Sequence, residues 1–222
     1  MIITIAGTKG GVGKSLLACQ LAAYWHSQDL RVVLLDLDVQ GTARRFADAA
    51  VESGHSCPTT IGVGGDVRKT LREQAQAYDL LICDTQGRAN AAAASAIVMA
   101  DVVLAPCGPT IEDLDALQSG TAAILEQAQA IREDLAVLVV RSQWPSRATA
   151  MSTAIDEALA GGAYAVAKAT IHRLVAFNEA VAAGVAVTEL ASKGPAVRDL
   201  LDLAGEVGEL LGMSQAAEVA CG

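Results

Sequence analysis

The stretch Gly7-Thr8-Lys9-Gly10-Gly11-Val12-Gly13-Lys14-Ser15 decides how this chain is read. It follows the apolar run Ile2-Ile3-Thr4-Ile5-Ala6 and opens a helical pattern over 13–28. Glycines let the backbone curl until successive N–H groups converge on one anion. The start of the helix adds its partial positive charge at the same point. Strand, glycine loop and helix, with Gly-Lys-Ser at the junction, make a phosphate-binding loop. In such a loop Lys14 reaches the β- and γ-phosphates and the Ser15 hydroxyl ligates Mg²⁺. The usual pattern G-x-x-x-x-G-K-[ST] asks for glycine at position 8, where this chain has Thr8.

Outward from the loop, short apolar runs alternate with longer helical stretches. The runs are 2–6, 32–35, 80–83, 102–106 and 135–140, with a further short strand near 59–63 inside the loop-like stretch 53–66. Helical patterns cover 67–77, 89–99, 111–133, 149–159, 173–183 and 196–211. Nearly unbroken apolar strands between helices predict an α/β fold: a doubly wound, mostly parallel sheet with helices on both faces. The 222 residues suit a single domain spanning 1–222. Hydrophobic residues are 52% and aromatics 3%, so the core must be aliphatic and the chain cannot be disordered as a whole. About one residue in five is alanine, which allows close helix packing.

Two further segments place carboxylates at strand ends. Leu34-Leu35-Asp36-Leu37-Asp38-Val39-Gln40-Gly41 follows the second run. Asp38 can serve a bound nucleotide there or cap the short helix that follows. Asp79-Leu80-Leu81-Ile82-Cys83-Asp84-Thr85-Gln86-Gly87 is an apolar strand ending in Asp84, a metal-supporting position or a loop cap.

The run Lys9-Gly10-Gly11-Val12-Gly13-Lys14-Ser15 resembles the deviant Walker A loop of the ParA/MinD superfamily of P-loop ATPases, K-G-G-x-G-K-[ST]. The resemblance implies ATP and Mg²⁺ as cofactors and a P-loop NTPase fold. It implies nucleotide contacts from Lys9, Gly10, Gly11, Val12, Gly13, Lys14, Ser15 and Leu16. It makes Lys9 the signature lysine, which crosses a nucleotide-sandwich homodimer to the partner's phosphates, and gives Lys9, Lys14 and Asp38 catalytic roles. Asp36-Leu37-Asp38-Val39-Gln40 is similar to the family's D-x-D-P-Q switch, with Val39 in place of proline. Asp38 then orients the attacking water and, with Ser15 and Asp84, supports the metal. Gly87 offers its N–H to the γ-phosphate, although the family's D-x-P-P is absent. Arg141, at the end of the 135–140 run, is either an adenine neighbour or a surface arginine. Asp101–Pro109, Ile171-His172-Arg173, Glu179-Ala180 and Gly184 resemble later family segments. The chain resembles the compact ParF-like partition ATPases of that family, which implies DNA binding without sequence preference when ATP-bound and stimulation by a ParB-like or other cargo adaptor.

Charge sorts the branches. The net charge is −9, which argues against a constitutively basic nucleic-acid binder. Residues 101–140 hold one basic and seven acidic side chains, and 199–222 hold none and five. Residues 141–198 are mildly basic, with six against four. Arg147, Lys168, Arg173, Lys193 and Arg198 are therefore the candidate DNA contacts, on one face or as a scattered solvated set. The last helix carries Asp199, Asp202, Glu206 and Glu209, with Val197, Leu200, Leu201, Ala204 and Val207 reading inward. Such an acidic face is repelled by anionic lipid, against MinD-like membrane attachment. Cys19, Cys57, Cys83, Cys107 and Cys221 include no C-x-x-C, and none follows Asp84 closely, against a metal-cluster reductase. The start at Met1 reads as a strand and not a signal peptide, which points to the cytoplasm, nucleoid-associated if DNA is bound. The competing class is a small-molecule synthetase of the cobyrinate amidase or dethiobiotin synthetase type, which shares the loop and activates a carboxylate by phosphoryl transfer.

Overall fold

The structure is a computed structural model that describes residues 1–87 and 90–213. Ala89, where one helical pattern begins, and Cys221 lie outside the described residues. Seven strands form one parallel sheet: β1 (Ile2–Ile5), β2 (Val32–Asp36), β3 (Thr59–Gly62), β4 (Leu80–Asp84), β5 (Val102–Cys107), β6 (Ala136–Trp144) and β7 (Ala165–His172). Their order is β3-β2-β4-β1-β5-β6-β7. Parallel strands need crossover helices. These are α1 (Lys14–Ser27), α2 (Thr42–Glu52), α3 (Arg68–Ala77), α4 (Ala91–Met99), α5 (Ile111–Asp115), α6 (Ala122–Gln129), α7 (Ala150–Ala160), α8 (Val175–Ala183), α9 (Val187–Leu190) and α10 (Pro195–Leu210).

Successive strand residues point to opposite faces, so the core has two layers. Ile3, Ile5, Leu34, Leu80, Ile82 and Leu104 pack with Leu17, Leu21, Phe46, Phe177, Leu200 and Leu203 from α1, α2, α8 and α10. Val33, Leu35, Leu81 and Val103 pack with Leu71, Ala96, Leu125, Ile155 and Leu159 from α3, α4, α6 and α7. Each large aliphatic side chain buried this way contributes roughly 1.5–3 kcal/mol. Alanine supplies the close approach: Ala18, Ala22, Ala43, Ala50 and Ala96 are fully buried.

β1 lies between β4 and β5, where the connections change direction across the sheet. All strands run the same way, so every carboxyl end meets one edge. A crevice opens there, beside the strand at which the order reverses. The glycine loop leaves β1 at that point.

Four local outcomes differ from the sequence reading. β7 was not anticipated. Its alternation Ala-Val-Ala-Lys-Ala-Thr-Ile-His is alanine-rich and half exposed, as an outermost strand allows. α2 has eleven residues and is no mere short helix. The 111–133 pattern is not one α-helix: Ala116–Thr121 is π-helical between α5 and α6. Thr8 is set against that turn, its hydroxyl donating to the Ala116 carbonyl at 3.2 Å. Last, α10 does not present four acids to solvent. Asp199 is buried and accepts from the His172 N–H at 2.9 Å. Glu206 accepts the N–H groups of Lys168 and Ala169 at 2.9 and 3.1 Å. These carboxylates satisfy donors that the edge strand leaves unpaired. Leu201, which reads as inward, is 42% exposed.

Candidate nucleotide site

The loop from Gly7 to Gly13 turns on two glycines with left-handed backbone, Gly11 at φ 79° and Gly13 at φ 97°. Gly13 is the residue preceding α1, and no side chain caps that helix. Its first N–H groups therefore have no side-chain acceptor and face the crevice. A Cβ on Gly13 would overlap the Ser142 hydroxyl at the end of β6. That hydroxyl is itself buried and without a partner.

Lys14 opens α1 and is only 7% exposed. Its Nζ folds back to donate to the Lys9 carbonyl at 2.6 Å. Burial lowers its pKa, while Asp84 and Asp38 work in the opposite direction. Asp84 ends β4 in register with Asp36 on β2 and Ile5 on β1. It is fully buried, and neither carboxylate oxygen has a hydrogen-bond partner. Burial pushes the Asp84 carboxyl up to about 7; Asp36 and Asp38 add to the rise, and Ser15 and Lys14 oppose it. An orphaned buried carboxylate beside a hydroxyl and an ammonium suits a hard cation. Among the described residues no group of three or more His, Cys, Asp or Glu side chains is arranged to hold a metal ion by itself. A cation here would take most of its oxygens from nucleotide and water.

The Asp38 loop is shaped by a residue the sequence reading did not single out. Asp36 is buried, and its Oδ1 accepts the Asp38 N–H at 3.1 Å. Its Oδ2 accepts the Arg44 N–H at 3.1 Å, inside the first turn of α2. The residue before α2 is Gly41, at φ 66°, with no side chain to offer. Asp36 thus caps α2 from eight residues away and fixes the turn that carries Asp38. Asp38 accepts the Gln40 N–H at 2.9 Å through Oδ1. It closes its own turn, therefore, and does not cap the helix. A cleft of about 510 Å³ opens beside it, lined by Asp36, Asp38, Arg44, Gly62, Gln86 and Asn90 among others.

Gly87 lies against the loop: a Cβ there would come within 3.1 Å of the Gly10 nitrogen and 3.3 Å of the Lys9 carbonyl carbon. Lys9, Gly10, Gly11, Val12, Gly13, Lys14, Ser15 and Leu16 are continuous through the loop and the first turn of α1. Arg141 is not brought to the site. Its guanidinium is held by Asp156 of α7 at 2.5 Å and by the Ala167 carbonyl of β7 at 2.7 Å. The residues that do arrive from β6 are Ser142 and Gln143. Gln143 has φ 53° and donates to the Gly11 carbonyl at 2.5 Å. Arg173 donates to Gln143 Oε1 at 3.1 Å. The positive φ of Gln143 leaves no signal in the sequence, so nothing local marks this contact.

The cationic set is exposed throughout: Arg147, Lys168, Arg173, Lys193 and Arg198. Arg147 follows β6 and Arg173 follows β7, on the edge that carries the loop. Arg198 lies in the first turn of α10, next to Asp199, which binds His172 at the end of β7. Lys168 lies farther back along β7. No helix among the described residues is long and apolar enough to cross a membrane.

Comparison with known proteins agrees with this geometry. The model of the CobQ/CobB/MinD/ParA nucleotide binding domain matches residues 3–187. The maintenance of carboxysome distribution protein A of Halothiobacillus neapolitanus is 25% identical over 199 residues, 89% of this chain and 91% of that protein. The chromosome-partitioning ATPase Soj of Thermus thermophilus is 28% identical over 158 residues, 58% of this chain but 62% of its own length. The fold is that of an ATP complex of McdA from Cyanothece, at TM-score 0.73, 18% identity and 98% coverage of both chains. It is also that of the MinD cell division ATPase of Pyrococcus furiosus, at TM-score 0.69, 17% identity and coverage of 94% and 98%. With the glycine loop, the parallel sheet and the matched span in agreement, the chain belongs to the CobQ/CobB/MinD/ParA nucleotide-binding family.

Proposed function

We propose that this protein is a partition or positioning ATPase that hydrolyses ATP to ADP and phosphate. It pairs with a second copy when ATP-bound, binds DNA without sequence preference and distributes a cargo through an adaptor protein. One observation carries the reading: a single loop bears two lysines in different settings. Lys14 is buried beside Asp84 and Asp38, while the Lys9 side chain is 35% exposed. The buried lysine serves the chain's own nucleotide. On this reading the exposed one serves a second nucleotide across a dimer, where added positive charge stabilises the transferring phosphoryl group. The names of the carboxysome-distribution and chromosome-partitioning relatives support the same class.

Within the site, loop N–H groups and Lys14 bind the phosphates, and Gly87 closes against the γ-phosphate end. Asp38 orients the attacking water, held in place by its turn. Ser15 and Asp84, with support from Asp38, would hold Mg²⁺, which when bound would neutralise phosphate charge. Arg147, Lys168, Arg173, Lys193 and Arg198 supply phosphate contacts to DNA, doubled by dimerisation. The place of action is then the nucleoid within the cytoplasm, with no membrane partner.

The test is light scattering and DNA retention with ATP·Mg²⁺, with ADP and without nucleotide. Dimers and DNA binding only with ATP, with retention that falls steeply as salt rises, are expected. Equal DNA retention in all three states would overturn the DNA role. Asp38→Ala should keep ATP binding, lower turnover by about 100-fold or more and accumulate dimer. One feature favours a second reading. The cleft beside Asp38 holds Arg44, a cation a synthetase could use for a carboxylate substrate. ATP turnover with no added small molecule, stimulated by DNA, decides against that synthetase.

A further inference from the structure

We infer that Asp113 is the positioning residue for Lys9, holding its ammonium on the chain's own helix α5 until a nucleotide-loaded second copy takes it. This rests on the sandwich-dimer reading proposed above.

The pair is close and built. Lys9 Nζ stands 2.7 Å from Asp113 Oδ1, and the Asp113 side chain is only 11% exposed. Asp113 is held from two other directions. The Thr110 hydroxyl donates to Asp113 Oδ2 at 2.7 Å, and Thr110 Oγ1 accepts the Asp113 N–H at 3.2 Å as the cap of α5. Gly108 lies under the carboxylate, where a Cβ would overlap Oδ2. A surface ion pair between two freely rotating side chains is weak because both must be ordered. Here one partner is ordered in advance, so only Lys9 loses freedom.

The same helical segment grips the loop one residue earlier. The Thr8 N–H donates to Thr121 Oγ1 at 3.2 Å, and the Thr8 hydroxyl donates to the Ala116 carbonyl at 3.2 Å. The π-helical turn makes room for this: a side chain at Gly120 would run into Thr8. A π-turn interrupts the regular carbonyl ladder and often marks a working position. Thr8, the residue that departs from the ordinary glycine pattern, is thus the anchor, and Lys9 is the arm beyond it. The Lys9 carbonyl meanwhile accepts from Lys14, so the backbone at Lys9 is held from inside the loop while its side chain is held by α5.

The experiment uses the full chain as wild type, Asp113→Asn, Asp113→Glu and Thr110→Ala. Acylation of Lys9 by an amine-reactive N-hydroxysuccinimide ester is followed by peptide mass spectrometry without nucleotide, with exposed Lys69 as internal reference. Light scattering then gives the ATP·Mg²⁺ concentration for half-dimerisation. In Asp113→Asn, Lys9 should react about fivefold faster relative to Lys69, the scale of an ion pair lost. The dimerisation midpoint should fall, and Asp113→Glu should restore both towards wild type. Should Asp113→Asn fail to fold, Thr110→Ala removes the hydroxyl that orients Asp113 and caps α5 while keeping the carboxylate, and carries the same test with a smaller shift. Unchanged Lys9 reactivity overturns the inference, and so does a raised dimerisation midpoint in Asp113→Asn. Faster Lys9 acylation in a protein that never pairs with ATP, wild type included, overturns the dimer reading and with it the release step.

Discussion

Helices α1 and α7 begin at the same edge, each after a parallel strand, and they begin in opposite ways. α7 is closed by its own sequence. Thr149 accepts the Ser152 N–H at 3.1 Å, and Ser152 in return accepts the Thr149 N–H at 2.9 Å. α4 and α5 are closed similarly by Asn90 and Thr110. α1 is left open behind Gly13, with no side chain to satisfy its first N–H groups. Capping Ser, Thr, Asp and Asn residues are worth about 1 kcal/mol each. Side-chain caps are also missing at α3, α8 and α10, so what sets α1 apart is its place directly behind the glycine loop at the carboxyl end of β1, with Lys14 buried in its first turn. α2 is intermediate: it too starts behind a glycine, but buried Asp36 reaches its N–H groups. On the proposed reading the open start of α1 takes phosphate, and the capped starts of α4, α5 and α7 are scaffold.

That contrast breaks first at Lys14. Lys14→Ala removes the buried side-chain cation at the open end, so nucleotide affinity should fall by at least about 100-fold, roughly 2.7 kcal/mol. Titration with a fluorescent ATP analogue measures it; affinity within a factor of a few of wild type would mean that the loop is not the site. Next comes Asp84, the buried carboxylate with no partner. Its pKa is raised to about 7 in the nucleotide-free fold, against an unfolded value near the ordinary carboxylate range of about 4. The folded state therefore holds the proton more tightly. The stability this confers is fully present below about pH 4 and is lost as pH rises through about 7. Asp84→Asn should flatten this part of the stability–pH curve. At pH 8 it should stabilise the nucleotide-free chain by of the order of 3 kcal/mol while impairing Mg²⁺-dependent ATP binding. Urea denaturation at pH 5 and pH 8 measures it, and a variant less stable than wild type at pH 8 would refute the argument.

How much of this was legible before the structure follows the same division. Where a residue acts through its own backbone neighbours, the sequence shows it. The glycine loop, the carboxylates Asp38 just past β2 and Asp84 at the end of β4, and the central strands β1, β2, β4 and β5 are all local patterns. Where a residue acts at a distance, nothing local marks it. Asp36 caps a helix eight residues on, Asp113 meets Lys9 across a crossover, and Gln143 reaches Gly11 from the far end of β6. Arg141 reads as either an adenine neighbour or a surface arginine because it follows an apolar strand; the structure instead holds it against Asp156 on α7 beside the bulged pairing with β7. β7 escapes notice because an edge strand buries one face only, and alanine says little about helix or strand in that setting. The acids of α10 read as a solvent face because helical periodicity cannot register an adjacent strand edge in need of acceptors.

The smallest expected effect sharpens the opening contrast from the closed side. Thr149→Ala leaves the Ser152 N–H without its side-chain acceptor and removes half of the reciprocal pair at α7. The cost should be about 1 kcal/mol, a fall in melting temperature of about 2–4 °C for a chain of this size. Nucleotide affinity should stay unchanged, because α7 packs through Ile155 and Leu159 into the layer opposite α1 and bears no residue of the loop. Thermal denaturation followed by circular dichroism, with ATP-analogue titration on the same samples, separates the two quantities. A loss of affinity comparable to the loss of stability would show that the closed helix start also belongs to the site. Unchanged affinity in a measurably less stable protein is what a scaffold cap requires.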